Sequence, residues 1–155
     1  MIPARNRGFS LIELVIVIVI IGVIAAIAIP RMSRGTEGAA ANALSDDLTT
    51  LRKALDLYQT EHDGAYPNDP TNQLTQYTDD SGNASATQDA TYKYGPYLRT
   101  IPALPVGAQK GQTVIGASAS PGTAGIGWIY DPNTGTITAN TTTEQDATGK
   151  LYNQY

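Results

Sequence analysis

The feature that most constrains this chain is an apolar run near its N-terminus. From residue 14 to 29 every residue is apolar except Gly22. The wider stretch 9–29 has 21 residues and one charge, that of Glu13, and about 20 helical residues cross the hydrocarbon core of a bilayer. Val and Ile dominate the run, but strands rarely exceed about 10 residues, and lipid forces a backbone to satisfy its own hydrogen bonds. The run therefore predicts a membrane-spanning helix.

Glu13 is the residue that a plain membrane anchor would not contain. A carboxylate within a bilayer helix costs on the order of 3 kcal/mol to insert, so we expect it to have a cationic partner. The nearest basic residues, Arg7 and Arg31, lie outside the span on either side. Cleavage after Gly8, where a basic leader meets the apolar run, would create a new α-amino group on Phe9 at a similar depth. That amine is a suitable counter-ion for the carboxylate.

The residues around this junction form a recognisable motif. It reads Arg5-Asn6-Arg7-Gly8, then Phe9-Ser10-Leu11-Ile12-Glu13, then the Val/Ile-rich run with Gly22 and Pro30. The motif resembles the leader and N-terminal helix of the type IV pilin superfamily. The resemblance implies that prepilin peptidase removes the leader, residues 1–8, by cutting between Gly8 and Phe9, and that Phe9 is then N-methylated.

The same resemblance implies a role in assembly for residues inside the helix. Glu13 would neutralise the N-terminal amine of a neighbouring subunit during filament assembly. Gly22 and Pro30 match positions where the family's helix loosens in the filament. Pro30 also lacks a backbone donor, so a break or kink near residues 26–30 is expected from chemistry alone.

Other interpretations of the N-terminus stay open. Residues 26–28, Ala-Ile-Ala, form a small-x-small site like that of a secretory signal peptide, which would leave a soluble domain but does not explain Glu13. A simple single-span anchor explains the length of the run but not the motif before it. Gly22 and Pro30, taken singly, are also ordinary residues of membrane helices.

The charges that flank the span do not fix its orientation. Arg5 and Arg7 precede it and Arg31 and Arg34 follow it, so there is no basic asymmetry. The resemblance, not the charge count, implies a single-pass protein of the inner membrane with its C-terminal part in the periplasm or outside.

Beyond residue 35 the apolar pattern becomes that of one helix face. Gly64 suits the position just after the last turn of a helix. We therefore predict an amphipathic helix over 36–62, which joins the segment 9–30 to make one long helix interrupted near Pro30. The predicted buried face steps by four and three residues through Leu44, Leu48, Leu51, Leu55 and Tyr58.

The C-terminal half supplies predicted strands. Residues 125–130 and 136–139 flank the turn 131–135, a pattern typical of a β-hairpin, and Val114-Ile115 predicts a further strand. The intervening residues are predicted loops, with 79–89 as a mobile one. The fold class is therefore α+β: a long N-terminal helix packed on a small antiparallel β-sheet, within an extracytoplasmic head that spans residues 31–155.

A second resemblance lies in the head. Its residues are Leu51 to Tyr58 with Asp63-Gly64-Ala65-Tyr66-Pro67, then Gly95-Pro96-Tyr97-Leu98 with Ile101-Pro102, then Gly127-Trp128-Ile129-Tyr130. These segments resemble the major pseudopilins of type II secretion systems. The chain lacks the cysteine pair of many type IV pilins, which favours a pseudopilus over an adhesive pilus. It also lacks a clear copy of the acidic C-terminal loop with which those major pseudopilins hold calcium.

Composition excludes most catalytic chemistry. There is no cysteine and one histidine, so a Ser-His-Asp arrangement or a zinc site would depend on His62 alone. We expect His62 to be solvated near the end of a helix. The formal net charge of −4 and the pI near 4.7 argue against a nucleic-acid partner. We predict no enzyme activity and no cofactor.

Metal binding is the remaining chemistry to consider. Asp131, Asn133, Glu144 and Asp146 are candidate calcium ligands, yet residues 131–135 are equally what a hairpin turn requires. We favour the turn and predict no metal site. Several aromatic residues form either a binding face or, as we predict, packing between sheet and helix. These are Tyr66, Tyr92, Tyr94, Tyr97 and Trp128.

The sequence therefore predicts a filament subunit of the pseudopilin type. The resemblance implies that it assembles with copies of itself or related subunits, after cleavage by prepilin peptidase, through an inner-membrane platform protein and an ATPase. Such a filament would drive protein export in type II secretion. The alternatives are a type IV pilus subunit for adhesion, motility or DNA uptake, and a membrane-tethered binding domain that forms no filament.

Overall fold

A long helix dominates the N-terminal part of the chain. In the computed structural model, which describes residues 9–155 apart from the side chains of 28–35, helix α1 spans Leu11–Glu61. The backbone is helical throughout this range, including positions 22 and 30. The loosening that the resemblance implies at Gly22 and Pro30 concerns the assembled filament and stays a prediction.

The chain divides into two units, Met1–Thr36 and Glu37–Tyr155, and α1 contributes residues to both. Within the second unit, the predicted apolar stripe of α1 is confirmed as the centre of the core. The exposed fraction of its side chains is 0–3%, and Ala41 and Ala54 extend the buried face. Periodicity alone placed this face correctly, because a helix that packs along one side repeats its apolar residues every three or four positions.

The end of α1 is formed by a local reversal of the backbone. The amide of Gly64 donates a 2.9 Å hydrogen bond to the carbonyl oxygen of Gln59, the six-to-one bond of a Schellman motif. The residue in the first left-handed position is Asp63, with φ 53°, and Gly64 follows with φ 86°. Gly64 therefore lies one position later than the spacing predicts, and an aspartate takes the place next to the helix.

The segment after α1, which we predicted as loop, contains regular structure. Helix α2 spans Pro70–Thr75, and strands β1 (Tyr77–Thr78) and β2 (Ala84–Ser85) form an antiparallel pair. Asp69 caps α2 by accepting a hydrogen bond from the amide of Asn72. An N-cap aspartate followed by proline is typical of a helix start, and the loop prediction did not take it into account.

The second sheet has three strands: β3 (Ile115–Ala117), β4 (Trp128–Asp131) and β5 (Thr136–Ala139). The hairpin of β4 and β5 confirms the predicted strand, turn and strand. The sheet is mixed rather than wholly antiparallel, because β3 pairs with β4 in parallel, with Ile115 opposite Trp128. Parallel neighbours need a crossover instead of a tight turn, and residues 118–127 provide it. The α+β class is confirmed with this one difference.

Aromatic residues of β4 fill the space between the sheet and α1. Trp128 and Tyr130 are fully buried, and the indole nitrogen of Trp128 donates a 2.8 Å hydrogen bond to the carbonyl oxygen of Pro102. Tyr66 and Tyr97 are partly buried against the same core. The predicted packing role is therefore confirmed for Tyr66, Tyr97 and Trp128, and Tyr130 joins them in the core.

Candidate assembly site

The first unit presents a helix covered in apolar side chains. Every large apolar side chain from Phe9 to Ile27 is exposed, from 38% for Val15 to 87% for Phe9. An apolar surface of this extent marks a site that binds protein or lipid. Within the part of the chain that the structure describes, no helix is both long enough and apolar enough to cross a membrane.

Glu13 lies at the start of this surface, and its carboxylate accepts a hydrogen bond from the backbone of Ser10. Its Oε2 atom accepts a 2.8 Å hydrogen bond from the amide of Ser10, while the amide of Leu14 donates to the carbonyl oxygen of Ser10 at 3.3 Å. A serine followed three residues later by glutamate is the sequence pattern of a capping box, in which the glutamate reaches back to the first residue. The carboxylate is thereby held at the N-terminal end of α1.

The other residues predicted for processing and assembly are placed as follows. Phe9 is the first described residue and is almost fully exposed. Gly22 lies on an open face of α1, where an added side chain would meet nothing within 4 Å. Gly8 and the leader 1–8 lie outside the described residues, as does the side chain of Pro30. The predicted roles of these residues stay predictions.

The candidate calcium ligands Asp131, Glu144 and Asp146 are each engaged by hydrogen-bond donors of the chain. Asp131 caps the hairpin turn, where its Oδ1 accepts a 2.9 Å hydrogen bond from the amide of Asn133. Glu144 accepts hydrogen bonds from the amides of Ala108 and Thr142. Among the described residues, no three carboxylate or imidazole groups gather as a metal would require. The turn interpretation of residues 131–135 is confirmed by the hairpin.

Hydrogen bonds favour the charged form of two carboxylates, those of Glu144 and Asp146. Backbone hydrogen bonds, first from Thr142 and then from Ala108, lower the pKa of Glu144 to about 2. The Tyr155 hydroxyl, followed by that of Thr148, holds the pKa of Asp146 well below its usual range. In both cases the cause is donors that lie within the chain.

His62 is buried, so the expectation that it is solvated is wrong. Its side chain is 5% exposed. Its Nδ1 lies 2.9 Å from the carbonyl oxygen of Tyr58, and its Nε2 lies 3.1 Å from that of Asp79. The rings of Tyr94 and Tyr97 lie beside it. The hairpin of β1 and β2 covers the end of α1, and the local sequence around the histidine did not reveal this cover.

The chain is similar to known proteins in two respects. Residues 3–29 match the family described as the prokaryotic N-terminal methylation motif. The chain is also 32% identical over 104 residues to the type II secretion system core protein G of Klebsiella pneumoniae, a match that covers 67% of this chain and 71% of that protein. No solved structure matches the chain significantly.

Proposed function

This chain belongs to the family of the type II secretion system core protein G, and we propose from that premise that it is a structural subunit of a secretion pseudopilus, without catalysis of its own. The observation that carries the proposal is the extent of the likeness to that protein. The methylation motif at residues 3–29 gives independent support, because it is the signal of a chain that is processed and assembled.

The exposed apolar surface of α1 supports a filament subunit over a freely soluble domain. The side chains of residues 9–27 need cover, and lipid or the equivalent helices of neighbouring subunits would supply it. The second unit has its own buried core and would face water. Assembly would then exchange lipid for neighbouring helices along the apolar segment and leave the heads outside.

We further propose the route by which the subunit reaches the filament. Prepilin peptidase would cut between Gly8 and Phe9, and a platform protein with its ATPase would draw subunits from the inner membrane. Before assembly the segment 9–30 would cross that membrane once, with the head in the periplasm. The motif supports the processing step, and the exposed apolar surface supports the membrane location.

The direct test is to look for filaments that contain this chain. The full chain is expressed with the secretion assembly genes, and sheared material is examined by electron microscopy with an antibody against the head. We expect labelled filaments, and we expect export of folded proteins to stop when the chain is deleted.

Two results would contradict the proposal in different ways. A cleaved, membrane-bound chain that gives no filaments under these conditions would indicate a tethered binding domain. Labelled filaments from the expressed chain, together with a deletion strain that secretes normally but loses adhesion, motility or DNA uptake, would indicate a type IV pilus.

A further inference from the structure

The last part of the head folds into a closed segment, residues 144–155, which we call the strap. Gln145 and Leu151 form an antiparallel bridge, and the amide of Tyr152 donates a 3.1 Å hydrogen bond to the carbonyl oxygen of Glu144. Tyr152 is 7% exposed and belongs to the core. Tyr152 therefore packs the strap on the head, and other contacts hold the residues on either side of it.

Both carboxylate oxygens of Asp146 accept hydrogen bonds from other residues of the strap. Its Oδ1 accepts hydrogen bonds from the amide and the hydroxyl of Thr148, both at 2.7 Å, and from the amide of Lys150 at 3.0 Å. Its Oδ2 accepts a hydrogen bond from the hydroxyl of Tyr155. The ammonium group of Lys150 lies 4.0 Å from the centroid of the Tyr155 ring, within the range of a cation–π contact.

Arg52 of α1 ties the strap to the rest of the head. Its Nη2 donates a 2.8 Å hydrogen bond to the carbonyl oxygen of Tyr155 and a longer one, 3.4 Å, to that of Ile137 in β5. Strand β5 is an edge of its sheet, and an uncovered edge offers its backbone groups to other chains. The strap and Arg52 together cover part of that edge.

Glu144 fixes the first end of the strap. Its Oε1 accepts from the amide of Ala108 at 3.0 Å, and its Oε2 accepts from the amides of Thr142 and Thr143 at 2.7 and 3.1 Å. Each carboxylate oxygen of Glu144 thus accepts at least one hydrogen bond from the chain, as does each of Asp146. Such donors compete with a cation for the lone pairs of these oxygens.

The groups around these two carboxylates do not fit calcium. The major pseudopilins that the chain resembles hold calcium in an acidic loop of their C-terminal region. Calcium takes six to eight oxygen ligands, several of them carboxylates that converge. Here the two carboxylates of the strap face N–H and O–H groups, and no third acid joins them among the residues that the structure describes. We propose that residues 144–155 form a metal-independent strap, which the Tyr155–Asp146 and Arg52–Tyr155 hydrogen bonds close over the edge of β5.

Trypsin offers a direct measure of strap opening, because Lys150 lies within the strap. The full chain in detergent is digested briefly, and mass spectrometry follows release of the peptide 151–155. When opening is fast, the rate of cleavage tracks the population of the open form. We expect the rate at Lys150 to be the same with calcium chloride as with EGTA.

Substitution of Tyr155 tests the closing bond itself. Tyr155→Phe keeps the ring and removes the hydroxyl that bonds to Asp146, so cleavage at Lys150 should rise about fivefold, the effect of a lost hydrogen bond of ordinary strength. Tyr92→Phe is the matched control, since Tyr92 is a half-buried tyrosine outside the strap. Thr148→Val removes the bond from the Thr148 hydroxyl to Asp146 and keeps the one from its amide, so it should give an intermediate rate.

The proposal is overturned if calcium slows cleavage of the unaltered chain, which would show that an ion holds the strap. It is also overturned if Tyr155→Phe is cut no faster than Tyr92→Phe. The comparison of calcium with EGTA needs no variant, so it decides the matter even if a variant fails to fold. Neither measurement depends on filaments, so a failure of the proposed function would leave this result intact.

Discussion

The imidazole of His62 lies flat against the phenol ring of Tyr58, with the ring centroids 3.9 Å apart and the ring planes 6° from parallel. The two residues are one helical turn apart, so α1 itself sets the stack. The far ring nitrogen reaches the carbonyl oxygen of Asp79, just after β1. The stack thereby joins the end of α1 to the hairpin of β1 and β2.

Replacement of His62 should therefore destabilise the head. His62→Phe keeps a ring of similar shape but loses both contacts to carbonyl oxygens, at a cost of about 1–2 kcal/mol in the free energy of unfolding. His62→Ala also leaves a cavity, so it should lower the free energy of unfolding further, by about 3 kcal/mol. The fluorescence of Trp128, the single tryptophan, reports thermal unfolding of the head in both variants.

The control for this comparison is Thr60→Ala, an exposed position on the same helix. It should change the free energy of unfolding by no more than about 0.5 kcal/mol. If His62→Phe were as stable as Thr60→Ala, the ring nitrogens would contribute nothing and the histidine would act through packing alone.

The contrast between the stripe on α1 and His62 shows what the sequence could predict. Leu44, Leu48 and the rest of the stripe follow a local period, and the β4–β5 hairpin has its turn residues in one short run, so both were predicted. The partner of His62 is Asp79, 17 residues further along, and β3 pairs with a strand beyond a long crossover. Such contacts depend on how distant segments meet, which a local pattern does not encode.

The N-terminal motif was likewise predictable. Residues 9–13 place a serine, and a glutamate three positions later, directly before the apolar run, and each of these features is local. The strap was missed because Arg52, Asp146 and Tyr155 come from separate segments. A signal for it was present in the Asp-x-Thr spacing of Asp146 and Thr148, which is typical of a tight turn.

Acid should weaken the head through Glu144. The pKa of Glu144 is lowered to about 2 by backbone amides, first that of Thr142, from a model-compound value near 4.5. Its contribution to stability is therefore fully present above pH 4.5 and is lost as the pH falls toward 2. Glu144→Gln should lower the melting temperature at pH 7, and the difference from the unaltered chain should shrink through this window.

A neighbouring substitution supplies the comparison. Gln145→Ala changes an exposed side chain that does not titrate. Any change that it causes in the melting temperature should therefore be the same at pH 7 and pH 3. If the offset of Glu144→Gln were likewise constant across that range, the amide contacts to Glu144 would not stabilise its charged form, and the argument from its pKa would be wrong.

The mature chain should begin at Phe9. Gly8 lies where the basic leader meets the apolar run, and residues 3–29 match the methylation motif. Intact mass and N-terminal sequencing of the purified protein measure the cleavage site, and N-methylation would add the mass of one methyl group. A chain that begins at Ile29 would instead show that Ala26-Ile27-Ala28 acts as a signal-peptidase site.

Glu13 should matter for assembly and not for insertion. Beside the amine of Phe9 from an adjacent subunit its carboxylate is paired, whereas alone in lipid it is costly. Glu13→Ala deletes the one charge of the apolar span, so insertion should be no harder. Filament yield should fall about tenfold or more, because the incoming amine would be left without a partner in a low-dielectric bundle. Membrane fractionation and counts of sheared filaments measure the two effects.

The bond from Ser10 to Glu13 makes a second variant necessary, because Glu13→Ala removes a helix cap together with a charge. Glu13→Gln keeps an oxygen that can accept from the amide of Ser10, and a glutamine serves in a capping box as glutamate does. If the charge drives assembly, Glu13→Gln should fail as Glu13→Ala does, while both stay cleaved and membrane-bound. Normal filaments from Glu13→Gln would show that the cap is what assembly needs, and the pairing with the Phe9 amine would then be wrong.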